Sequence, residues 1–214
     1  LRLHAGHRAA VIEMGMNHLG EIARLAAIAK PEVGLITNVA AAHLEGLGTI
    51  ENVAKAKGEL FDALDENATA IVNLDDPHTA ALGRLVRAKT LTCSLADTKA
   101  DVHLVALAQE SANAGYAVRL SALGQTMDFT LPLFGRHNIG NLLLAVAAGL
   151  AFGVSLADMP AAVVQVTVPG ARARFKRDEY PGLWVIEDCY NANPASMKAA
   201  LDAQKEIAQT KRRV

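Results

Sequence analysis

Short apolar runs alternate with helical patterns through the first hundred or so residues, and this alternation constrains the fold more than any other feature of the chain. Ala9 to Met14 and Val33 to Thr37 are short apolar runs, Thr69 to Leu74 is a third, and Lys89 to Ser94 is a short fourth run. Such runs read as strands covered on both faces, the habit of parallel sheets. Between them, Ile22, Leu25, Ala26 and Ala29 recur at helical spacing until Pro31. Val53, Ala56, Leu60, Phe61 and Leu64 line one face of a second helix that Thr49 can cap. Asp76 followed by Pro77 starts a third, with proline at the first helical position. Strand and helix in strict alternation predict an α/β fold with a mostly parallel, doubly wound sheet.

The pattern then changes. Val102 to Leu107, Tyr116 to Leu123 and Thr126 to Leu131 alternate loosely, with breaks at Gly115 and Gly124, which predicts an antiparallel meander at the sheet edge. A helix is expected from about Asn138 to Phe152, and Ser155 with Asp158 resembles a capping box. Leu183 to Glu187 reads as a strand, and Asn193 with Pro194 opens a last helix. Val168-Pro169-Gly170 interrupts the pattern, so residues 1–167 are expected to form one domain and 168–214 the beginning of a second α/β domain.

At 51% hydrophobic residues but only 4% aromatic, the core must be built of Ala, Val, Leu and Ile. A formal net charge of -1 gives no electrostatic reason to bind nucleic acid. The longest apolar stretch, Leu142 to Val154, is too short to cross a bilayer and contains two glycines, so no membrane insertion is expected. Cys93 and Cys189 form neither a disulfide framework nor a zinc pattern, which fits a cytoplasmic protein. The chain starts without Met or a signal peptide, and its last residues continue a helical pattern with no stop signal. It is therefore expected to be an internal piece of a longer protein.

In open parallel sheets ligands bind at the carboxyl ends of the strands. Glu13 lies at the end of the first run, Asn38 at the end of the second, and His43 in the loop that follows. A carboxylate and an imidazole there can hold a divalent cation, although each alone is as well explained as an ordinary loop residue. Lys55 and Lys57 follow on a helix, two positions apart, and so point roughly 200° apart. In Gly135-Arg136-His137-Asn138-Ile139-Gly140-Asn141, Asn138 and Asn141 share the first-turn face of a helix. An Asn amide offers a donor beside an acceptor, matching the edge of adenine; helix capping explains Asn138 equally well. Asp188 ends a strand, where a carboxylate can bond a ribose hydroxyl or simply cap a turn. No G-x-x-x-x-G-K-[ST] phosphate loop occurs.

Taken as a set, these strings resemble the Mur ligases. Glu13 to Ile22 is similar to an E-M-G-x-N-x-x-G-E-I segment of that family, and Thr37 to Glu45 to T-N-x-x-x-A-H-L-E. Ala54 to Phe61 is similar to A-x-A-K-G-E-[IL]-F, residues 135–141 to G-R-H-N-x-x-N, and Tyr190 to Met197 to Y-N-A-N-P-x-S-M. The five segments occur in the family's order and span nearly the whole chain. They look most like the branch that joins D-alanyl-D-alanine to UDP-N-acetylmuramoyl-tripeptide.

The resemblance implies a cytoplasmic, ATP-dependent and magnesium-dependent ligase working through an acyl phosphate, monomeric when complete. It implies Glu13 and His43 as magnesium ligands and Lys57 as a lysine that is carbamylated to hold a second magnesium. Asn38 falls at the active-site edge. His137, Asn138 and Asn141 become adenine contacts and Asp188 a ribose contact. Either Arg172 or Arg174 matches the arginine of the interdomain linker. The family's phosphate-loop strand, its UDP-binding domain and most of its C-terminal domain have no counterpart in the 214 residues. The chain made alone is thus expected to be inactive. Other readings are another Mur ligase, a folylpolyglutamate-synthase relative, or a non-catalytic truncated chain.

Overall fold

The computed structural model describes residues 3–41, 44–111, 115–167, 174–176, 185–187 and 194–208. In chain order, α1 (Glu21–Ala29), β1 (Val33–Ile36), α2 (Leu44–Leu47), α3 (Ile50–Asp62), β2 (Thr69–Asn73), α4 (Pro77–Gly83) and β3 (Lys89–Ser94) make the alternating half. The strands β4 (Val102–Ser111), β5 (Gly115–Ala122) and β6 (Gln125–Leu131) then form the meander. The long helix α5 (Arg136–Ala151), a 3-10 turn and short α6 (Met159–Val163) follow. Strands β7 (Arg174–Lys176) and β8 (Val185–Glu187) pair as an antiparallel ribbon, and α7 (Pro194–Ala208) comes last.

One six-stranded sheet runs β1-β2-β3-β4-β5-β6 in sequence order. Pairing is parallel from β1 to β4 and antiparallel from β4 to β6. Side chains alternate faces along each strand, and each face meets different helices. Val33 and Leu35 of β1 and Ile71 of β2 join the core built on α5, with Leu142, Leu143 and Val146. Ile36, Ala70 and Val72 point the other way, into a core with Phe61 of α3 and Leu82 of α4. The result is three layers, helix on sheet on helix, the expected mixed α/β architecture.

Local chemistry sets the helix starts. Thr49 Oγ1 accepts from Asn52 N–H at 3.3 Å, and Asp76 accepts from His78 and Thr79 N–H with Pro77 behind it. Ser155 accepts from Ala157 N–H, but what it opens is the 3-10 turn at Leu156–Asp158. Register also gives the sheet a step. β3 pairs with β4 only at Cys93 with Val102 and Ser94 with His103, so the rest of β4 runs on past the carboxyl ends of the parallel strands. α5 returns along this overhang, and the Cys93 thiol reaches the Leu143 carbonyl at 3.7 Å.

One expected strand is absent. Ala9 to Met14 is not a strand; Val11 is 99% exposed and Ile12 40%. An apolar run is stable as an interior strand only with hydrogen-bonding neighbours at its edges. Among the described residues no strand lies beside it, and β1 pairs with β2 alone.

Candidate functional site

The carboxyl ends of β1 and β2 are tied together by side chains. Asn73, the last residue of β2, donates its amide to the Thr37 carbonyl at 2.8 Å. Val39 N–H donates to Asp76 Oδ2 at 2.9 Å, while Asp76 Oδ1 caps α4. Thr79, fully buried, donates its hydroxyl to the Asn73 carbonyl. Lys57 Nζ reaches across from α3 and donates to the Asn38 carbonyl at 2.7 Å. Lys57 and Asn38 are thus brought together, and Lys55 points away into solvent. Burial pulls the Lys57 ammonium below its ordinary value, and the charge of Asp76 opposes part of that shift. Beyond β2, Asp75 accepts from the Ser94 hydroxyl at 2.5 Å and from Leu95 N–H at 2.7 Å, fixing the loop that leaves β3.

The turn carrying Asn17 lies alongside. Glu21 folds back to accept from Asn17 N–H at 2.7 Å and His18 N–H at 3.2 Å. Those bonds, with the His18 ring, hold its carboxyl below the usual range, the Asn17 bond most of all. Gly46 of α2 permits a close approach, since a Cβ there would lie 2.3 Å from the Asn17 carbonyl oxygen. Met14 and Met16 pack with Val39, Leu47, Val53 and Ala56, which brings this turn against the loop after β1 and against α3. Glu13, exposed, precedes that packed stretch.

A second group sits at the start of α5. Gly135, at φ 88, turns the chain into the helix, and its N–H donates to the Tyr116 hydroxyl at 3.2 Å. Asn138 donates its amide to the Phe134 carbonyl at 2.6 Å and accepts from the Asn141 amide at 3.2 Å, so the two asparagines form one unit. His137 and Asn141 are exposed beside it. A Cβ on Gly140 would lie 3.8 Å from Leu95, so this helix start faces the loop after β3, at the same end of the sheet as Lys57. α7 approaches as well: Ala203 lies 3.4 Å from where a Gly135 Cβ would be.

His43, Arg172 and Asp188 lie outside the described residues. Arg174 is in β7, opposite Glu187 of β8. Among the described residues no group of three or more His, Cys, Asp or Glu could hold a metal, and no helix is long and apolar enough to cross a membrane. A groove of about 600 Å³ between β4–β6 and α6 is lined by none of these site residues; Arg119 and Asp128 pair at its wall. Sequence reasoning missed Asp76 and Asn73 as parts of this site. Asp76 was legible only as a helix cap, because its second partner is far away in the chain.

The Mur ligase middle domain family model matches residues 1–149. The chain is 36% identical over 208 residues to the UDP-N-acetylmuramoyl-tripeptide–D-alanyl-D-alanine ligase of Escherichia coli (strain K12), covering 97% of this chain and 45% of that relative. It is 33% identical over 198 residues to the Bacillus subtilis (strain 168) enzyme of the same name, covering 92% and 41%. The crystal structure of MurF from Acinetobacter baumannii superposes with a TM-score of 0.86 at 29% identity, covering 98% of this chain and 44% of that one. The chain thus spans a little under half the length of the relatives it matches. With its three-layer sheet, its tied strand ends and this likeness over most of its length, the chain belongs to the Mur ligase family.

Proposed function

We propose that this chain is the nucleotide- and metal-handling part of an ATP-dependent ligase that joins D-alanyl-D-alanine to UDP-N-acetylmuramoyl-tripeptide. The relatives named above carry that activity in their names, and identity to them extends along nearly the whole chain. The single observation that carries the reading is the Lys57–Asn38 contact at the carboxyl edge of the sheet, with Lys57 half-buried and its ammonium disfavoured.

In this reading a tripeptide carboxylate oxygen attacks the γ-phosphorus of ATP, and ADP leaves. The dipeptide amine then attacks the acyl carbon, loses a proton, and phosphate leaves. Residues 1–167 supply the central ATP-binding domain and 168–214 the beginning of the C-terminal one. His137, Asn138 and Asn141 take the adenine, Asp188 the ribose, and Arg172 or Arg174 the linker contact. Asn38 shapes the edge of the site through its carbonyl.

Glu13, His43 and Lys57 would hold magnesium, which when bound neutralises charge on the phosphoryl oxygens. Lys57 fits this role once converted to a carbamate: its neutral amine attacks carbon dioxide, loses a proton and becomes an anion. Burial favours that neutral amine. The protein is cytoplasmic and monomeric in this reading.

The test is ADP release by the complete protein that carries this sequence. Release is expected only when UDP-N-acetylmuramoyl-tripeptide and D-alanyl-D-alanine are both present. Release with a single amino acid in place of the dipeptide would move the chain to another branch, and no release with either would reject the ligase reading.

A further inference from the structure

Of the residues proposed for the metal side, Glu13 precedes α1 and Lys57 is on α3. The geometry points to Glu59 as a positioning residue that holds the Glu13 segment against the Lys57 helix, an inference that rests on the function proposed above.

A helix start leaves N–H groups without internal partners. α1 starts at Gly20, which is at φ 88 and has no side chain with which to cap the helix. The cap comes instead from α3, 39 residues on: Glu59 Oε1 accepts from Gly20 N–H at 2.6 Å and Oε2 from Ala23 N–H at 3.0 Å. A carboxylate accepting two backbone N–H groups makes charge-assisted bonds, and its charge complements the helix dipole. Glu59 and Lys57 are two positions apart on α3, so they point roughly 200° apart. One turn of helix therefore reaches the Asn38 carbonyl through Lys57 and the start of α1 through Glu59.

The segment so held has little freedom elsewhere. Glu21 closes the turn at Asn17 and His18, and the Asn17 carbonyl rests on Gly46 of α2. Met16, 5% exposed, is packed with Val39 and Val53. Releasing Glu59 removes the hydrogen-bonded tie between α3 and the start of α1. It leaves the packing of Met16 on Val53 and Ala56 as the contact with α3, so residues 17–20 can shift relative to Lys57. A cap serving only α1 could have been supplied by a neighbouring residue, whereas this one comes from the helix that carries Lys57.

The experiment uses the complete protein, with Mn²⁺ as the probe, its binding followed by electron paramagnetic resonance. Glu59→Gln keeps the shape but offers one acceptor oxygen and turns its NH₂ towards the other N–H. Glu59→Ala removes both acceptors, and Glu66→Ala, on an exposed turn, is the control. Amide exchange at Gly20 and Ala23 is expected to quicken in both Glu59 variants. Mn²⁺ affinity is expected to fall by about tenfold, the loss typical for residues that orient metal ligands. The control should match wild type, and the dipeptide KM should stay within about twofold in every variant, since the effect is confined to the metal side. If Glu59→Ala does not fold, Glu59→Gln carries the comparison. Faster exchange at Gly20 and Ala23 with unchanged Mn²⁺ affinity would overturn the inference, as would unchanged exchange. A wild-type protein that binds Mn²⁺ but releases no ADP would reject the ligase reading alone, because the Glu59 comparison is read from Mn²⁺ affinity.

Discussion

Lys57 is half-buried with its Nζ on the Asn38 carbonyl, while Lys55, one position before Ala56 on the same helix, is solvated. The two lysines therefore predict opposite outcomes. On the function proposed above, Lys57→Ala in the complete protein should lower kcat by about a thousandfold, since metal-borne charge stabilisation is worth several kcal/mol. Short carboxylic acids should restore part of it, because the group proposed there is an anion. Lys55→Ala should change kcat little; loss and rescue at Lys55 instead would show the assignment to be wrong. Stability should move differently. A lysine whose folded value lies below its ordinary 10.5 is charged in both states only at pH below that lowered value, and there its desolvation weighs fully on the folded state. That burden lifts as pH rises from the lowered folded value towards 10.5. Urea unfolding of Lys57→Met relative to wild type should show a stability difference that moves against the variant as the solution is made more alkaline towards 10.5; a difference that moves in its favour would contradict this. The choice of Lys57 over Lys55 was legible, since helical spacing allows one to face the strand ends and the motif names which. Asp76 was not: Asp-Asp-Pro announces a helix start, but nothing local reveals that Oδ2 holds Val39 N–H, 37 residues back.

At the level of elements, two glycines decide how α4 sits. A Cβ on Gly83 would lie 2.6 and 2.9 Å from the two Cγ atoms of Val72, which is 2% exposed in the middle of β2. Valine is stiff about χ1 and cannot swing aside. Gly83→Ala should therefore destabilise by about 1–3 kcal/mol. Adding Val72→Ala should recover part of this, a coupling that a double-mutant cycle in urea would measure. A Cβ on Gly58 meets only the tip of Leu82, at 2.7 Å, which can rotate. There the gain in helix propensity, about 1 kcal/mol, should leave Gly58→Ala close to neutral. Equal losses at the two sites would mean that Leu82 is as fixed as Val72. Neither packing role can be read from sequence, because a helical glycine looks the same whether it faces a rigid or a movable neighbour. Of the short runs in the alternating half, Val33–Ile36, Thr69–Asn73 and Lys89–Ser94 are strands with parallel neighbours in the sheet, and the antiparallel meander was legible too. Ala9 to Met14 is no less apolar than these but has no such neighbour among the described residues. Hydrophobicity records that a strand can be covered on its faces and is silent about its edges.

The two edges of the sheet differ in a way that bears on the whole molecule. β6 carries Gln125, Asp128 and Thr130, with Asp128 in a bidentate pair with Arg119, the kind of polar edge that resists further pairing. β1, Val33-Gly34-Leu35-Ile36, has no charge and no proline, and among the described residues it is paired on one side only. Close in sequence lie the exposed apolar residues Val11, Ile12 and, on α1, Ile28 at 70%. An unprotected apolar edge is a template for another strand, and exposed apolar side chains add to the tendency to associate. Residues 1–214, produced on their own, are therefore expected to self-associate or to recruit a strand at β1. Light scattering should report species larger than one chain, and amide exchange from Val11 to Met14 should be as fast as in exposed backbone. Pairing the free side of β1 with an added strand should shift it to a single species and slow exchange across β1. A monodisperse monomer of the 214 residues with strongly protected amides from Val11 to Met14 would refute this. The run from Ala9 to Met14 would then be a strand of the sheet after all, and β1 would not be its edge.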